Sequence, residues 1–253
     1  MDLLLPERFE RAATAYGYQR VIFEQVAAGA RPPTVSITPS SRHVGVTRRD
    51  TFRPGFVDAV RASRAEGYPV LVRSSGGGAT AAHFGTFGFS LIRPATDGAP
   101  GLTIRDRYDE AAALVLGAFS RLGVRAVVVG EVRDEFCPGD HSLRVGSWEV
   151  GAKVVGIAQR VTRRATSVGG IVLVEGEAEL ARVLERVYAA MRLPFRQESV
   201  GSLRRAGSRA GVEEVVGAFA AEAALRYGTT RVPLDEPTLA LARGSGDAHL
   251  VGA

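Results

Sequence analysis

The chain has 253 residues, a formal net charge of +5 and one cysteine, Cys137. This length can bury the core of one large domain without disulfides, and a single cysteine excludes an internal disulfide bond. The sequence has no stretch of about 18 uncharged apolar residues and no basic segment before an apolar run at its N-terminus, so we expect no membrane association and a cytoplasmic location. The basic residues are scattered and lack an aromatic-basic recognition motif, so nucleic acid is not an expected partner.

Lys153 is the single lysine among 32 basic residues, and the other 31 are arginine. A position that keeps lysine in so arginine-rich a chain predicts a requirement that arginine cannot meet. Lysine offers a compact ammonium that can lose its proton when it is desolvated, whereas the guanidinium is planar and permanently charged. The alternative is that this lysine is present by chance or has only a structural role.

Apolar periodicity and turn residues predict alternating helices and strands. In chain order they are a helix over 7–28, strands over 34–38 and 43–47, a helix over 55–65, a strand over 70–73, a helix over 108–122, a central strand over 124–129, hairpins of a mixed sheet over 142–175, and helices over 180–191 and 212–227. Serine, glycine and arginine in 201–211 predict a linker, and the lack of periodicity in 235–253 predicts a flexible tail. We therefore divide the chain into a domain over 1–200 and an appendage over 201–253, which contains the linker, a short helix and the tail.

Three adjacent glycines follow the strand that is predicted to end at Arg73, in the segment RSSGGGA over 73–79. Because glycine has no Cβ, the backbone amides can approach a ligand closely, and a carboxylate, phosphate or thioester oxygen is the expected guest. No Gly-Lys-Ser/Thr follows and no helix pattern opens behind the glycines, which excludes a Walker loop and a dinucleotide fingerprint. A glycine-rich hairpin loop without a ligand fits the spacing equally well.

Cys137 begins the segment CPGDHS, and Lys153 lies downstream in GAKVVGIAQR, residues 151–160. Pro-Gly directly after the cysteine predicts a tight turn that places the thiol on an accessible loop. A nearby ammonium would lower the pKa of the thiol and favour the thiolate, which attacks carbonyl and thioester carbons. The alternative is a small buried cysteine that serves only as a hydrophobic residue.

Together, RSSGGGA, the FSLI segment at 89–92 and GAKVVGIAQR resemble the cofactor-transferase domain shared by lipoate-protein ligases, octanoyltransferases and biotin-protein ligases. The resemblance covers residues 15–195. It implies an α+β fold like that of class II aminoacyl-tRNA synthetases and biotin ligases, a mixed, mostly antiparallel sheet flanked by helices, with a short helical C-terminal appendage. It also implies an acyl tunnel between the glycine loop and the Lys153 segment. The substrate-binding residues that it implies are Arg73, Ser75, Gly76, Gly77, Gly78, His83, Gly156 and Ala158.

Within that family, a Cys-Pro-Gly segment ahead of the lysine is most similar to the octanoyl-(glycine-cleavage H protein):protein N-octanoyltransferases, whose cysteine carries an acyl thioester. The resemblance implies that Cys137 and Lys153 are catalytic. Cys137 would take an octanoyl or lipoyl group from one carrier protein and pass it to a lipoyl-domain lysine, while Lys153 draws the thiol proton and polarises the acyl carbonyl. The implied partners are acidic carrier proteins, namely the glycine-cleavage H protein and the lipoyl domains of 2-oxoacid dehydrogenases.

Two other functions are compatible with the same motifs. The first is an ATP-dependent lipoate-protein ligase, in which Lys153 and Arg73 would stabilise an acyl-adenylate and Cys137 would be incidental. The second is a non-catalytic protein that binds an acylated carrier. The transferase requires no cofactor and no metal, whereas the ligase would require ATP and magnesium.

Overall fold

The computed structural model describes residues 1–95 and 102–252. Within these ranges the strands are β1 (Asp2–Leu4), β2 (Thr34–Pro39), β3 (His43–Thr47), β4 (Val70–Arg73), β5 (Thr80–Ala82), β6 (Thr86–Pro94), β7 (Val128–Val129), β8 (Leu143–Val145), β9 (Ala152–Val161), β10 (Ala165–Leu173) and β11 (Thr230–Arg231). The helices are α1 (Ala12–Ala27), α2 (Phe56–Ala65), α3 (Ile104–Arg121), α4 (Glu177–Ala190), α5 (Val212–Tyr227) and α6 (Glu236–Gly246).

The strands form a large sheet and a small one. The large sheet has the order β11-β1-β2-β6-β10-β9-β8-β7, and the small sheet has the order β4-β3-β5. In the large sheet β1 runs parallel to β2 and to β11, and the other five pairs of neighbouring strands are antiparallel. The mixed, mostly antiparallel sheet that the resemblance implied is therefore confirmed.

Side-chain alternation along β6 determines which helices cover each face of the large sheet. Phe87, Phe89 and Leu91 pack in one core with residues of α3 and α5, where Phe219 contacts both phenylalanine rings. Ile92 packs on the opposite face in a core with α1 and α6. Successive side chains of a strand point to opposite faces, so a helix pair lies on each side of the sheet.

A further apolar core joins the small sheet to α2 and α4. Val44 and Val70 of the small sheet lie in this core, together with Phe56 of α2 and Leu184 of α4. Phe136 is fully buried in the same core. Burial of Phe136 anchors the loop that carries the next residue, Cys137, against the small sheet.

Most of the predicted elements are confirmed, one is wrong, and strands β1, β5, β6 and β11 are not among the predictions. Strand 70–73 and helix 212–227 have the predicted bounds. The prediction of a central strand over 124–129 is wrong, because only Val128–Val129 is a strand and it lies at the end of the large sheet, pairing with β8. Its two valines are 46% and 43% exposed, so their apolar character does not reflect a central position.

The C-terminal segment contains more regular structure than the sequence predicts. Residues 236–246 form α6, whose N-terminus is capped by the Asp235 carboxylate accepting from the backbone N–H of Thr238. Gly17 of α1 and Gly246 of α6 allow close helix contact, since a Cβ at either glycine would collide with backbone of the other segment. The tail over 235–252 is thus packed on the domain, while residue 253 lies outside the described ranges. The boundary at residue 200 stays a prediction.

Candidate active site

A cavity of about 200 Å³ lies between α1 and the large sheet. Its floor contains a row of small residues, because strand register places Ala158, Gly169 and Ser90 side by side on β9, β10 and β6. Residues paired directly across strands share one face of a sheet, so the row leaves a gap in the side-chain cover beneath α1. Gly156 on β9 and Gly88 on β6 lie two residues further along their strands, on the same face of the sheet, and they widen this gap. The sequence thereby makes room for a ligand on this face.

Cys137 lines the cavity from the loop between β7 and β8, and it has a left-handed backbone conformation with φ 45°. Few residues other than glycine, asparagine and aspartate adopt this conformation, so the surroundings must hold it. The backbone N–H of Cys137 donates to Tyr188 Oη at 2.6 Å, and its carbonyl oxygen accepts from Lys153 Nζ at 2.8 Å. Two buried side chains therefore fix the backbone on both sides of the thiol.

The thiol of Cys137 faces the glycine loop, residues 76–78. Its Sγ accepts hydrogen bonds from the backbone N–H of Gly78 at 3.2 Å and from Arg73 Nη2 at 3.3 Å. Burial raises the pKa of the Cys137 thiol, but the charges of Arg73 and Lys153 and the two hydrogen bonds lower it by more, so the pKa lies below its ordinary value. The nucleophilic thiolate is therefore favoured.

The glycine loop is shaped around Arg73 at the end of β4. Arg73 Nη2 also donates to the carbonyl oxygen of Gly78 at 2.7 Å, which closes the loop onto the strand. Gly77 has φ 106°, and a Cβ at this position would collide with Cys137 Sγ and lie 2.8 Å from Arg73 Nη2. Of the predicted loop residues, Arg73 and Ser75 line the cavity, and Gly77 and Gly78 lie beside Cys137, whereas a Cβ at Gly76 would meet nothing within 4 Å. Glycine at position 77 is what allows the thiol and the guanidinium to meet.

Lys153 on β9 is buried, and its side chain donates hydrogen bonds to the loop that carries Cys137. Its side chain is 1% exposed, and Nζ donates to Glu135 Oε1 at 2.9 Å, to the carbonyl oxygen of Phe136 at 3.0 Å and to that of Cys137 at 2.8 Å. An ammonium has three N–H donors, and these three acceptors match them. The structure thus brings Lys153 to Cys137 through the backbone, while Arg73 and Gly78 donate to the sulfur. Transfer of the thiol proton to Lys153 stays a prediction.

Glu135 and Tyr188 are two residues in contact with the cysteine loop or with Lys153 that the sequence analysis did not single out. The Glu135 carboxylate is buried and accepts from Lys153, from Ser142 Oγ at 2.5 Å and from the backbone N–H of Val132 at 3.0 Å. In the sequence, only its position two residues before Cys137 could have indicated that Glu135 lies at the site. Tyr188 gave no such indication, because it falls on the apolar stripe of a helix, where an aromatic residue is expected in any core.

His83 lies outside the cavity. It is 5% exposed, its Nδ1 accepts from the backbone N–H of Gly85 at 3.0 Å, and its Nε2 donates to the carbonyl oxygen of Gly176 at 3.1 Å. Within the described ranges, the cavity lining does not include His83. Nδ1 thus bonds within the turn before β6, and Nε2 joins that turn to the loop before α4. Contact of His83 with substrate stays a prediction.

Three aromatic or imidazole rings form another wall of the cavity. The ring of Tyr16 lies 5.2 Å from that of His43 and 5.6 Å from that of His249, measured between centroids, and all three residues line the cavity. Burial lowers the pKa of His43 to about 4, against the opposing effect of a hydrogen bond to the carbonyl oxygen of Ser41. Burial also raises the pKa of Tyr16 to about 12. Tyr16 and His43 are therefore neutral near pH 7.

Within residues 1–95 and 102–252, no group of three or more His, Cys, Asp or Glu side chains is arranged to hold a metal ion. Glu135, which lies two residues before Cys137, is already paired with Lys153.

Within residues 1–95 and 102–252, none of the helices has the length and apolar character needed to cross a membrane.

Comparison with known proteins finds a matching family model and several relatives of similar sequence. A family model, the lipoyl protein ligase A/B catalytic domain, matches residues 11–224. The chain is 31% identical over 178 residues to the octanoyl-GcvH:protein N-octanoyltransferase of Geobacillus kaustophilus, a match that covers 70% of this chain and 60% of that protein. It is 25% identical over 166 residues to the lipoyl-GcvH:protein N-lipoyltransferase of Listeria monocytogenes, with 66% and 57% covered. This chain thus spans about 60% of the length of these curated relatives.

A solved structure shares the fold over almost the whole chain. It is that of lipoate-protein ligase A bound with ATP, with a TM-score of 0.75 and 18% identity over 97% of this chain and 94% of that chain. At this identity the similarity concerns the fold alone. The family match, in contrast, covers most of the sequence, including Arg73, Cys137 and Lys153. The chain belongs to the family of the lipoyl protein ligase A/B catalytic domain.

Proposed function

We propose that this protein is an acyltransferase that moves an octanoyl or lipoyl group between carrier proteins, through a thioester on Cys137, onto the ε-amine of a lipoyl-domain lysine. One observation carries the proposal: Cys137 Sγ lies at the cavity and accepts hydrogen bonds from Gly78 and Arg73 that favour the thiolate. The names of the relatives, octanoyl- and lipoyl-GcvH:protein transferases, support the same substrates. A ligase that activates its acid as an adenylate has no need of an activated thiol.

Transfer takes two displacement steps. In the first, the Cys137 thiolate attacks the carbonyl carbon of the donor's acyl group, a C–S bond forms, and the bond from that carbon to the donor breaks as the leaving atom takes up a proton. In the second, the acceptor's lysine amine attacks the thioester carbon, a C–N bond forms, the C–S bond breaks and the amine loses a proton. The thiolate is regenerated and the protons balance. Transfer from one carrier lysine to another exchanges one amide for an equivalent amide, because the second step returns the free energy that the first step takes up, so we propose that neither ATP nor another cofactor is required.

The donors around the sulfur can also stabilise the negative charge that develops on the acyl oxygen in each step. The backbone N–H of Gly78 and the guanidinium of Arg73 lie within 3.3 Å of Sγ, so they are adjacent to an oxygen one carbon away. A donor of this kind typically contributes about 10²–10³ in rate. The positive charge of Lys153 assists them, and the acyl chain is proposed to lie on the floor that includes Gly156 and Ala158.

We propose acidic carrier proteins as donor and acceptor, namely the glycine-cleavage H protein and the lipoyl domains of 2-oxoacid dehydrogenases. The net charge of +5 supports this pairing, since opposite charges accelerate association and salt weakens their attraction. The apparent KM for carrier is therefore expected to rise with ionic strength while kcat changes little. A KM that does not respond to salt would argue against charge pairing. The reducing cytoplasm suits a working free thiol and is the location that we propose.

Intact-mass spectrometry tests the thioester. Incubated with octanoyl-GcvH and no nucleotide, the wild-type protein is expected to gain one octanoyl mass, which hydroxylamine removes, and Cys137→Ala is expected to gain none. A parallel incubation with lipoyl-GcvH determines which acyl group is preferred. An alanine variant that transfers at the wild-type rate would exclude the thioester. A requirement for free acid, ATP and magnesium would favour the ligase, and carrier binding without transfer would favour a non-catalytic protein.

A further inference from the structure

Tyr188 of α4 has a buried hydroxyl that contacts both loops of the site. The side chain is 3% exposed, Oη accepts from the backbone N–H of Cys137 at 2.6 Å, and Oη donates to the carbonyl oxygen of Ala79 at 2.9 Å. Burial raises the pKa of Tyr188, and the nearby Cys137 raises it further, so the hydroxyl keeps its proton. The hydroxyl therefore accepts one hydrogen bond from the cysteine loop and donates another to Ala79, the residue that follows the glycine loop.

This connection matters because of the backbone conformation of Cys137. A cysteine with φ 45° is strained and persists only where neighbouring groups hold it. Lys153 holds the carbonyl oxygen, and Tyr188 holds the N–H. Without the hydroxyl, the buried N–H would have no partner in this arrangement, and rotation of Cys137 to a negative φ would move Sγ away from the N–H of Gly78.

We propose that Tyr188 is a positioning residue, whose hydroxyl sets the distance between the cysteine loop and the glycine loop so that Gly78 and Arg73 can donate to the thiol. This inference rests on the proposed role of Cys137 as the acyl carrier. Tyr188 itself touches the backbone of Cys137 and not the sulfur, so it acts through the geometry of the thiol.

The matched pair Tyr188→Phe and Tyr68→Phe tests the proposal. Tyr68 lies in the same apolar core, and its hydroxyl also contacts α4, donating to Glu179 Oε1 at 2.7 Å. Each substitution removes one hydroxyl from a tyrosine in the same core, but only Tyr188→Phe removes a hydrogen bond to Cys137. The readouts are the pH dependence of Cys137 alkylation by iodoacetamide and the single-turnover rate of acylation from octanoyl-GcvH, both measured well below the melting temperature of each variant.

Tyr188→Phe is expected to shift the alkylation profile to higher pH and to slow acylation by about 100-fold, the loss that a displacement of about 1 Å can cause. Tyr68→Phe is expected to leave both close to wild type. If the two variants behave alike, or if Tyr188→Phe slows acylation with an unchanged alkylation profile, the positioning role is excluded. Failure of the proposed function is distinguishable, because Cys137→Ala would then transfer acyl groups normally while the alkylation profiles would still report on Tyr188.

Discussion

Lys153 Nζ donates a 2.8 Å hydrogen bond to the carbonyl oxygen of Cys137, whose thiol accepts from other groups. The lysine therefore acts on the nucleophile in two ways, by fixing its backbone and by placing a positive charge near its sulfur. Glu135 accepts from the same ammonium and is buried with it. A buried ion pair of this kind is costly to break, because removal of either partner leaves an uncompensated charge.

Lys153→Arg is expected to lower kcat for transfer by about 10²-fold or more, although the charge is retained. The three acceptors surround a single nitrogen, and a planar guanidinium cannot direct donors to all of them from that point. Space is also limited, since a Cβ at Gly156 would already lie 3.1 Å from Lys153 Cε. Steady-state transfer assays measure the effect, and near-normal turnover would show that only the charge matters.

The stability of the same pair gives a second prediction. Lys153→Met is expected to lower the free energy of unfolding by about 3–5 kcal/mol, because it leaves the Glu135 carboxylate buried without its partner. The double variant Glu135→Gln, Lys153→Met is expected to recover much of that loss but not the transfer activity. Chemical denaturation measures both variants. Recovery of activity in the double variant would mean that the lysine serves the fold alone.

Arg73→Met is expected to raise the pKa of the Cys137 thiol. Arg73 opposes the effect of burial by its charge and by a hydrogen bond to Sγ, whereas Lys153 does so by charge alone. The alkylation profile of Arg73→Met should therefore move to higher pH, and by more than that of Lys153→Met. A larger effect from the lysine variant would restore Lys153 as the main partner of the thiol, which is what the sequence predicts.

The sequence predicts this site to the level of its segments but not of its contacts. Strand 70–73 leads into the glycine loop because its apolar run ends at Arg73, and the Pro-Gly pair after Cys137 marks the loop that presents the thiol. Both are local signals, and both segments reach the cavity region. The composition draws attention to Lys153, because it is the single lysine in a chain whose other basic residues are arginine. A requirement for lysine at this position stays a prediction.

The contacts themselves depend on tertiary structure. Lys153 contacts the carbonyl oxygen of Cys137 and not its sulfur, and the cysteine has a left-handed backbone conformation that no residue pattern predicts. The partner of the ammonium, Glu135, lies 18 positions away on another segment. His83 shows the same dependence, because a histidine shortly after the glycines has the chemistry of a ligand, while in the structure both of its ring nitrogens form hydrogen bonds with the backbone.

The pH dependence of stability is expected to include a contribution from His43. Its pKa is lowered to about 4 in the folded protein, mainly by burial, against about 6.5 in an unfolded chain. Between these values the unfolded state binds more protons, so stability is lost as pH falls from about 6.5 to about 4, by at most about 3 kcal/mol. Denaturation of wild type and His43→Gln at pH 8, 6 and 4.5 measures this. Parallel losses in both proteins would mean that another group is responsible.

Gly77→Ala is expected to impair catalysis far more than Gly76→Ala, although the two residues are adjacent in the glycine loop. At Gly77 a Cβ would collide with Cys137 Sγ and crowd Arg73, and φ is 106°, whereas a Cβ at Gly76 meets nothing within 4 Å. The alanine at 77 must therefore displace the thiol or the loop, and a shift of about 1 Å can cost about 10²-fold in rate. Single-turnover acylation and the alkylation profile of Cys137 measure the change, with Gly76→Ala as the control for an added methyl group. Equal rates for the two variants would show that the contact among Gly77, Arg73 and the thiol is not needed for transfer.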